Sequence, residues 1–207
     1  MICPAGFFSL VSYLEERGVK TGVFNIVAKM VNDPDVDVAR LIRQIDAEVY
    51  GVDLHWLVHT HDALELAKLV KEVTGRPVIL GGLAATFYWR EVLEIPFVDV
   101  VVLGDAVEPV LYLLLQKFEK GLLGELEEIP NVAYRTDGGI KFTGLKYVPA
   151  ELDELRPKYE IVVKVMVRGC IDLSLPWSTF LKHPIAAVIT YKGCVYNCLA
   201  CGGPLCL

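Results

Sequence analysis

Near its carboxyl end the chain reads Gly193-Cys194-Val195-Tyr196-Asn197-Cys198-Leu199-Ala200-Cys201-Gly202-Gly203. The cysteines are spaced C-x3-C-x2-C. Three thiolates this close can ligate three irons of a cubane [4Fe–4S] cluster and leave the fourth iron open to a ligand, whereas structural metal sites are closed by four protein ligands. Zinc is the rival, with Cys206 as a fourth thiolate and His183 nearby. Zinc more often takes paired C-x2–4-C units, so an asymmetric triplet directly after an apolar run favours the cluster. Cys3, Cys170 and Cys206 belong to no motif and read as ordinary thiols.

The elements that would position such chemistry alternate between strand and helix up to about residue 120. The pattern predicts helices over Phe7–Arg17, Val36–Ile45, Asp62–Val73, Thr86–Leu93 and Val107–Glu119. It predicts strands over Lys20–Ile26, Glu48–Leu54, Pro77–Leu80 and Val98–Leu103. Asp62–Val73 is the clearest helix: Ala63, Leu66, Ala67, Val70 and Val73 follow the 3.6 period, Asp62 and Glu65 have capping-box spacing, and Gly75 then Pro77 end it. Val98–Leu103 is almost entirely Val and Leu, as in a strand covered on both faces. Such alternation implies a doubly wound, flavodoxin-like parallel sheet with right-handed crossovers, in which ligands bind beyond the carboxyl ends of the strands. The loops there are Asp53–His61, Gly81–Thr86 and Gly104–Pro109.

After Gly121 the character changes. Asn131–Arg135 and Ile140–Thr143 flank Asp137-Gly138-Gly139 as a hairpin. Leu152–Tyr159 reads as a linker, and Ile161–Val167 and Ala186–Tyr191 read as strands, the second leading into Cys194. A doubly wound domain begins with a strand, but this chain opens almost directly on a helix. Met1-Ile2-Cys3-Pro4 therefore reads as the tail of a first strand and its loop, and the expectation is a domain cut short at its amino end.

Bulk properties narrow the function classes. The chain has 207 residues, 54% hydrophobic and 22% charged, enough for a substantial core. Net charge is −6 and no basic run stands out, so nucleic acid and anionic membranes are not expected partners. No apolar stretch reaches membrane-spanning length, and Met1–Leu14 lacks the basic start of a signal peptide. Six cysteines without a secretion signal suit a reducing, cytoplasmic setting and metal binding rather than disulfides.

The cysteine triplet resembles the cluster motif of radical S-adenosylmethionine (SAM) enzymes, although Ala200 stands where that motif usually carries an aromatic residue. Upstream, Pro4–Gly18, Pro77–Thr86 with Gly81-Gly82, Val98–Asp105 with Glu108-Pro109, and Leu152-Asp153-Glu154-Leu155 resemble the cobalamin (B12)-binding domain and connector found in front of many radical SAM domains. The resemblance implies cobalamin, SAM and a [4Fe–4S] cluster as cofactors. Asp53, His55, Gly81, Gly82, Thr86, Gly104 and Asp105 would then lie on the cobalamin side, and Cys194, Cys198 and Cys201 would ligate iron. Some cobalamin domains ligate cobalt through an Asp-x-His-x-x-Gly loop after their first strand. Asp53-Leu54-His55 follows a later strand and has Val58 at the glycine position, so His55 is expected to line the upper face near the corrin instead of ligating cobalt.

The implied division is 1–120 as the cobalamin-type domain, 121–183 as hairpin and linker, and 184–207 as the first strand and cluster loop of a radical SAM partial barrel whose body is missing. The implied enzyme performs methyl transfer or related radical chemistry on an unknown substrate, with a reductant such as ferredoxin or flavodoxin. This chain alone is expected to be inactive. Bland readings stand beside each feature. Gly81-Gly82 makes a tight turn, and Gly104-Asp105 a turn with an acidic helix start. His55, His59 and His61 make a polar loop with Trp56 packing beneath it, rather than a metal site. The alternatives are a non-catalytic corrinoid-binding module, a disrupted gene product, or a zinc-stabilised α/β binding domain.

Overall fold

The computed structural model describes residues 5–121, 125–151, 156–169 and 171–186. In chain order its elements are α1 (Ala5–Glu16), α2 (Ile26–Asn32), α3 (Val38–Gln44), β1 (Tyr50–Asp53), α4 (Thr60–Thr74), β2 (Val78–Gly81), α5 (Leu83–Phe87), α6 (Trp89–Glu94), β3 (Val100–Val102), α7 (Glu108–Glu119), β4 (Val132–Thr136), β5 (Gly139–Phe142), α8 (Tyr159–Arg168) and α9 (Ile171–Ser174). Among the described residues, contacts group those within 39–149 into one compact unit and join those within 5–38 to those within 150–186 in another.

The first unit is built on a five-stranded sheet in the order β1-β2-β3-β4-β5. β1, β2 and β3 run parallel, with Asp53 opposite Gly81 and Ile79 opposite Val100. β4 and β5 form the expected hairpin, added antiparallel to β3. Successive side chains of a strand point to opposite faces. Ile79, Val100 and Val102 pack with Val110 and Leu114 of α7. Val78, Leu80 and Val101 point the other way and are equally buried. Both faces of the central strands are therefore covered, as the valine-rich run predicts.

α4 follows the apolar period, burying Ala63, Ala67 and Val70, and it ends on Gly75 at φ 65° with the Gly75 amide donating to Lys71 O at 2.9 Å. Its start differs from expectation. The helix begins at Thr60, His59 occupies the cap position without a side-chain bond, and Asp62 sits inside the first turn. There its charge complements the helix N-terminus instead of capping it. The predicted helix over Thr86–Leu93 is two short helices, α5 and α6, separated at Tyr88.

Arg135 holds the end of α6. Its guanidinium donates to the carbonyls of Leu93, Ile95 (2.6 Å) and Val98 (3.4 Å). Tyr134 on β4 is 2% exposed, and its hydroxyl has no hydrogen-bond partner among the described residues. Burial pushes its phenol pKa upward. An unsatisfied buried hydroxyl costs about 1–2 kcal/mol. Tyr134→Phe is therefore expected to raise stability by about 1 kcal/mol, read as a higher urea midpoint at unchanged slope.

In the second unit α1 packs on α8, with Phe8, Val162 and Met166 forming an apolar cluster flanked by Tyr159 and Phe180. Two predicted strands are corrected here. Ile161–Val167 is helical within α8, because Val162, Val165 and Met166 fall on one buried face at helical spacing while Val163 and Val167 are exposed. Packing of an amphipathic face overrides the strand preference of β-branched residues. Lys20–Ile26 forms no strand. The Glu15 carboxylate accepts from the Thr21 amide (2.5 Å) and hydroxyl (2.8 Å) and pairs with Arg168. Burial opposes ionisation of Glu15, but Arg168 and Thr21 outweigh it and hold its pKa below the usual range. Asn25 then caps α2, its Oδ1 accepting from Ala28 N at 3.0 Å while its Nδ2 donates to Pro176 O at 2.9 Å. A cap of this kind starts a helix where the residue pattern predicts the end of a strand. The predicted Ala186–Tyr191 strand lies outside the described residues beyond its first position.

Candidate cofactor site at the carboxyl edge of the sheet

Three loops leave the carboxyl ends of β1, β2 and β3 side by side, because those strands are parallel and adjacent. The site residues expected of the sheet fall at these strand ends: Asp53 closes β1 with His55 just beyond it, Gly81 closes β2 with Gly82 after it and Thr86 in α5, and Gly104 and Asp105 follow β3. The middle loop is the hub. Leu54 N donates to Gly81 O (2.8 Å), Ala85 N to Leu54 O (3.1 Å) and Ala84 N to His55 O (3.1 Å). Thr86 Oγ1 donates to Gly82 O (2.9 Å) and accepts from Gly104 N (3.0 Å).

The two glycines of the turn are not equivalent. A Cβ on Gly81 would meet only Val102 O at 3.8 Å, an ordinary contact. A Cβ on Gly82 would lie 2.8 Å from both C and O of Leu54 and 2.9 Å from Asp53 Oδ1, at a φ of 106°. The backbone of the β2 loop thus lies directly against that of the β1 loop, and only glycine fits between them. Gly104 has φ 111° and Ala106 has φ 139°. A non-glycine residue at such a φ is strained by about 1–3 kcal/mol, and strained backbone concentrates at functional sites.

Asp53 is mostly buried at this edge. Burial raises its carboxyl pKa, and the nearby His55 and His59 only partly offset this. A raised pKa means that the folded state binds the proton more tightly than the unfolded chain, so ionisation weakens the fold. The penalty is absent below the ordinary value of 3.8 and grows as pH rises through the higher folded value. Asp53→Asn is therefore expected to melt above the unsubstituted protein at pH 7, with the gap closing below about pH 4. Melting curves between pH 3 and 7 check this, and a gap independent of pH would sink it.

His55 stands just beyond β1, half-buried, with its ring edge-on to Trp56 at a centroid distance of 4.8 Å. Trp56 does not pack beneath the loop. It is 58% exposed, and Leu57 and Val58 beside it are 59% and 84% exposed. The turn Leu57–His59 is too short to bury three consecutive apolar side chains, so they stand out beside the glycine hub. The sequence does hold this signal, an apolar run inside a loop. Ala106 carries no such signal, since nothing in its residue type announces a positive φ.

Among the described residues no three His, Cys, Asp or Glu side chains converge to hold a metal ion. Cys194, Cys198 and Cys201 lie outside the described residues. An apolar groove of about 340 Å3 in the second unit, lined by residues such as Phe8, Val162, Met166 and Phe180, includes none of the loop residues above. Among the described residues no helix is long and apolar enough to cross a membrane.

Known proteins resemble this chain over most of its length. Over 98% of its length the chain is 26% identical to a protein of Pyrococcus horikoshii named as an uncharacterized methyltransferase, and it spans 41% of that relative. It is 25% identical, over 96% of its length, to the anaerobic magnesium-protoporphyrin IX monomethyl ester cyclase of Rubrivivax gelatinosus and spans 34% of it. The cyclase of the same name from Cereibacter sphaeroides is 26% identical over 67% of the chain. Two solved structures of the radical SAM methyltransferase TsrM from Kitasatospora setae share the fold. One holds tryptophan and a SAM analogue, the other cobalamin and a [4Fe–4S] cluster. They superpose with TM-scores of 0.58 and 0.59 over 73% of this chain at 19% identity, covering 28% and 29% of theirs. Residues 2–114 match the model of the B12 binding domain, and with more than half of its length so matched the chain belongs to that family.

Proposed function

We propose that this chain supplies the corrin-holding sheet and the iron-ligating segment of a cobalamin-dependent radical SAM enzyme. The observation that carries the reading is the middle loop, where Gly82 packs against the loop after β1 and Thr86 holds the Gly104 amide of the loop after β3, so that three carboxyl-edge loops make one edge. A flat macrocycle needs such a continuous edge, and Gly82 permits it by letting the first two loops pack backbone to backbone. Asp53, His55, Gly81, Gly82, Gly104 and Asp105 are assigned to this edge, and Cys194, Cys198 and Cys201 are assigned to the cluster.

Bound cobalamin supplies a methyl group for transfer, and the cluster with SAM supplies the radical that activates an inert carbon. The protein's own part is simpler. The Gly81–Gly82 and Gly104–Asp105 backbones approach the ligand, and Trp56, Leu57 and Val58 offer apolar cover that excludes water at the edge. The three thiolates fit a cubane because they leave one iron free to bind SAM. The relatives named as a methyltransferase and a cyclase support methyl transfer or a related reaction for the whole enzyme; a small-molecule substrate and a one-electron reductant of the ferredoxin or flavodoxin type complete the proposal.

Titration of the chain with hydroxocobalamin, followed by absorbance and by quenching of Trp56 and Trp89, tests the corrin assignment. Saturable binding at about one equivalent is expected. A folded chain that leaves the absorbance of the titrant unchanged overturns the assignment.

A further inference from the structure

We infer that Thr86 is a positioning residue for this edge: its hydroxyl ties the loop after β3 to the loop after β2 and so fixes where the Gly104 backbone stands. The inference rests on the cobalamin reading above and gives Thr86 a different role from the glycines around it. Thr86 is buried, and its hydroxyl already has two partners. It donates its only proton to Gly82 O at 2.9 Å and accepts from Gly104 N at 3.0 Å. A hydroxyl has one proton to donate, so none is left for a ligand. Its work is done between the two loops.

The tie acts where the sheet stops acting. The last sheet-type bond on this strand is Leu103 N to Asn131 O at 2.8 Å. Gly104 is the next residue, and its amide is held by Thr86, 18 positions away. Beyond it the chain takes φ values of 111° at Gly104 and 139° at Ala106 before α7 begins at Glu108. Strained backbone persists only where its surroundings over-determine it. Here one end of the strained stretch is set by α7 and the other by the Thr86 hydroxyl.

The two partners do not depend on Thr86 equally. Gly82 O also accepts from Thr86 N at 2.9 Å, so it keeps a partner without the hydroxyl. Gly104 N relies on the hydroxyl for its bond. Loss of the hydroxyl at constant side-chain shape should therefore loosen the Gly104 loop selectively and leave the Gly82 turn in place.

Thr86→Val removes the hydroxyl and keeps the shape, while Thr86→Ser keeps the hydroxyl. In the full chain, Thr86→Val is expected to bind hydroxocobalamin about tenfold more weakly, the equivalent of one lost hydrogen bond, and Thr86→Ser to bind like the unsubstituted protein. Hydrogen exchange provides the readout that a general loss of stability would not move. Exchange at the Gly104 amide should rise about tenfold or more in Thr86→Val, with β2 and β3 amides unchanged. In the unsubstituted chain, whatever the fate of the variants, the Gly104 amide should exchange more slowly than exposed loop amides. Thr86→Val binding within twofold of the unsubstituted chain, Thr86→Ser binding as weakly as Thr86→Val, or a fast Gly104 amide in the unsubstituted chain each overturns the inference. An unsubstituted chain that binds no hydroxocobalamin overturns the cobalamin reading itself, and the positioning role falls with it even where the amide is protected.

Discussion

Gly82→Ala is expected to abolish hydroxocobalamin binding and to lower the melting temperature by about 10 °C or more, whereas Gly81→Ala folds and melts within a few degrees of the unsubstituted protein. The contrast follows from what each new methyl group would meet. At Gly81 the nearest atom is 3.8 Å away. At Gly82 the methyl would lie 2.8 Å from two backbone atoms of Leu54, in a conformation (φ 106°, ψ 176°) that is essentially confined to glycine. Leu54 cannot move aside. Its amide is bonded to Gly81 O, its carbonyl accepts from Ala85 N, and its side chain is 1% exposed. Backbone strain contributes about 1–3 kcal/mol and the clash adds to it, so a total near 3 kcal/mol or more is expected. Each kcal/mol moves the melting temperature of a unit this size by about 4–8 °C. Thermal melts and corrin titrations of both variants check the pair. Equal behaviour of Gly81→Ala and Gly82→Ala would show that the two loops are not packed as closely as the structure has them.

The contrast also marks where residue patterns stop being informative. The pattern Gly81-Gly82 announces a turn and a close approach, but which glycine is irreplaceable depends on Leu54, nearly thirty residues away. α4 is legible because Ala63, Ala67 and Val70 repeat at the helical period and Gly75 supplies the left-handed stop, all local information. β3 is legible because a run of valines needs cover on both faces. α8 is not. Five β-branched residues between Ile161 and Val167 favour a strand locally, and the helix wins only because Val162 and Met166 meet Phe8 from α1. Lys20–Ile26 fails for the complementary reason. A strand exists only through pairing, and this segment instead turns toward Glu15 and ends in the Asn25 cap. That Asp53, Gly81 and Gly104 fall at one carboxyl edge is readable because parallel strands bring their ends together. The Thr86 tie is not, since a side-chain bond to an amide 18 residues on leaves no periodic trace.

Replacing any one of Cys194, Cys198 and Cys201 by alanine is expected to reduce iron after anaerobic reconstitution from about four per chain to below about one, with loss of the broad visible band and of the EPR signal of the reduced cubane. The size of the effect follows from ligand count. A cubane that keeps one iron for SAM is held by three thiolates, and two leave half of its irons without protein ligands. Cys206→Ala separates this chemistry from zinc. A three-thiolate cluster is indifferent to Cys206, so iron content should be unchanged. A closed four-ligand zinc site recruits Cys206 as its last thiolate, so its removal should release metal held by the other three. The two readings therefore make opposite predictions for one residue. A chain that retains a single tight zinc, and loses it in Cys206→Ala, would remove the radical chemistry from the proposal. It would leave the corrin-holding edge to stand on Gly82 and the family match alone.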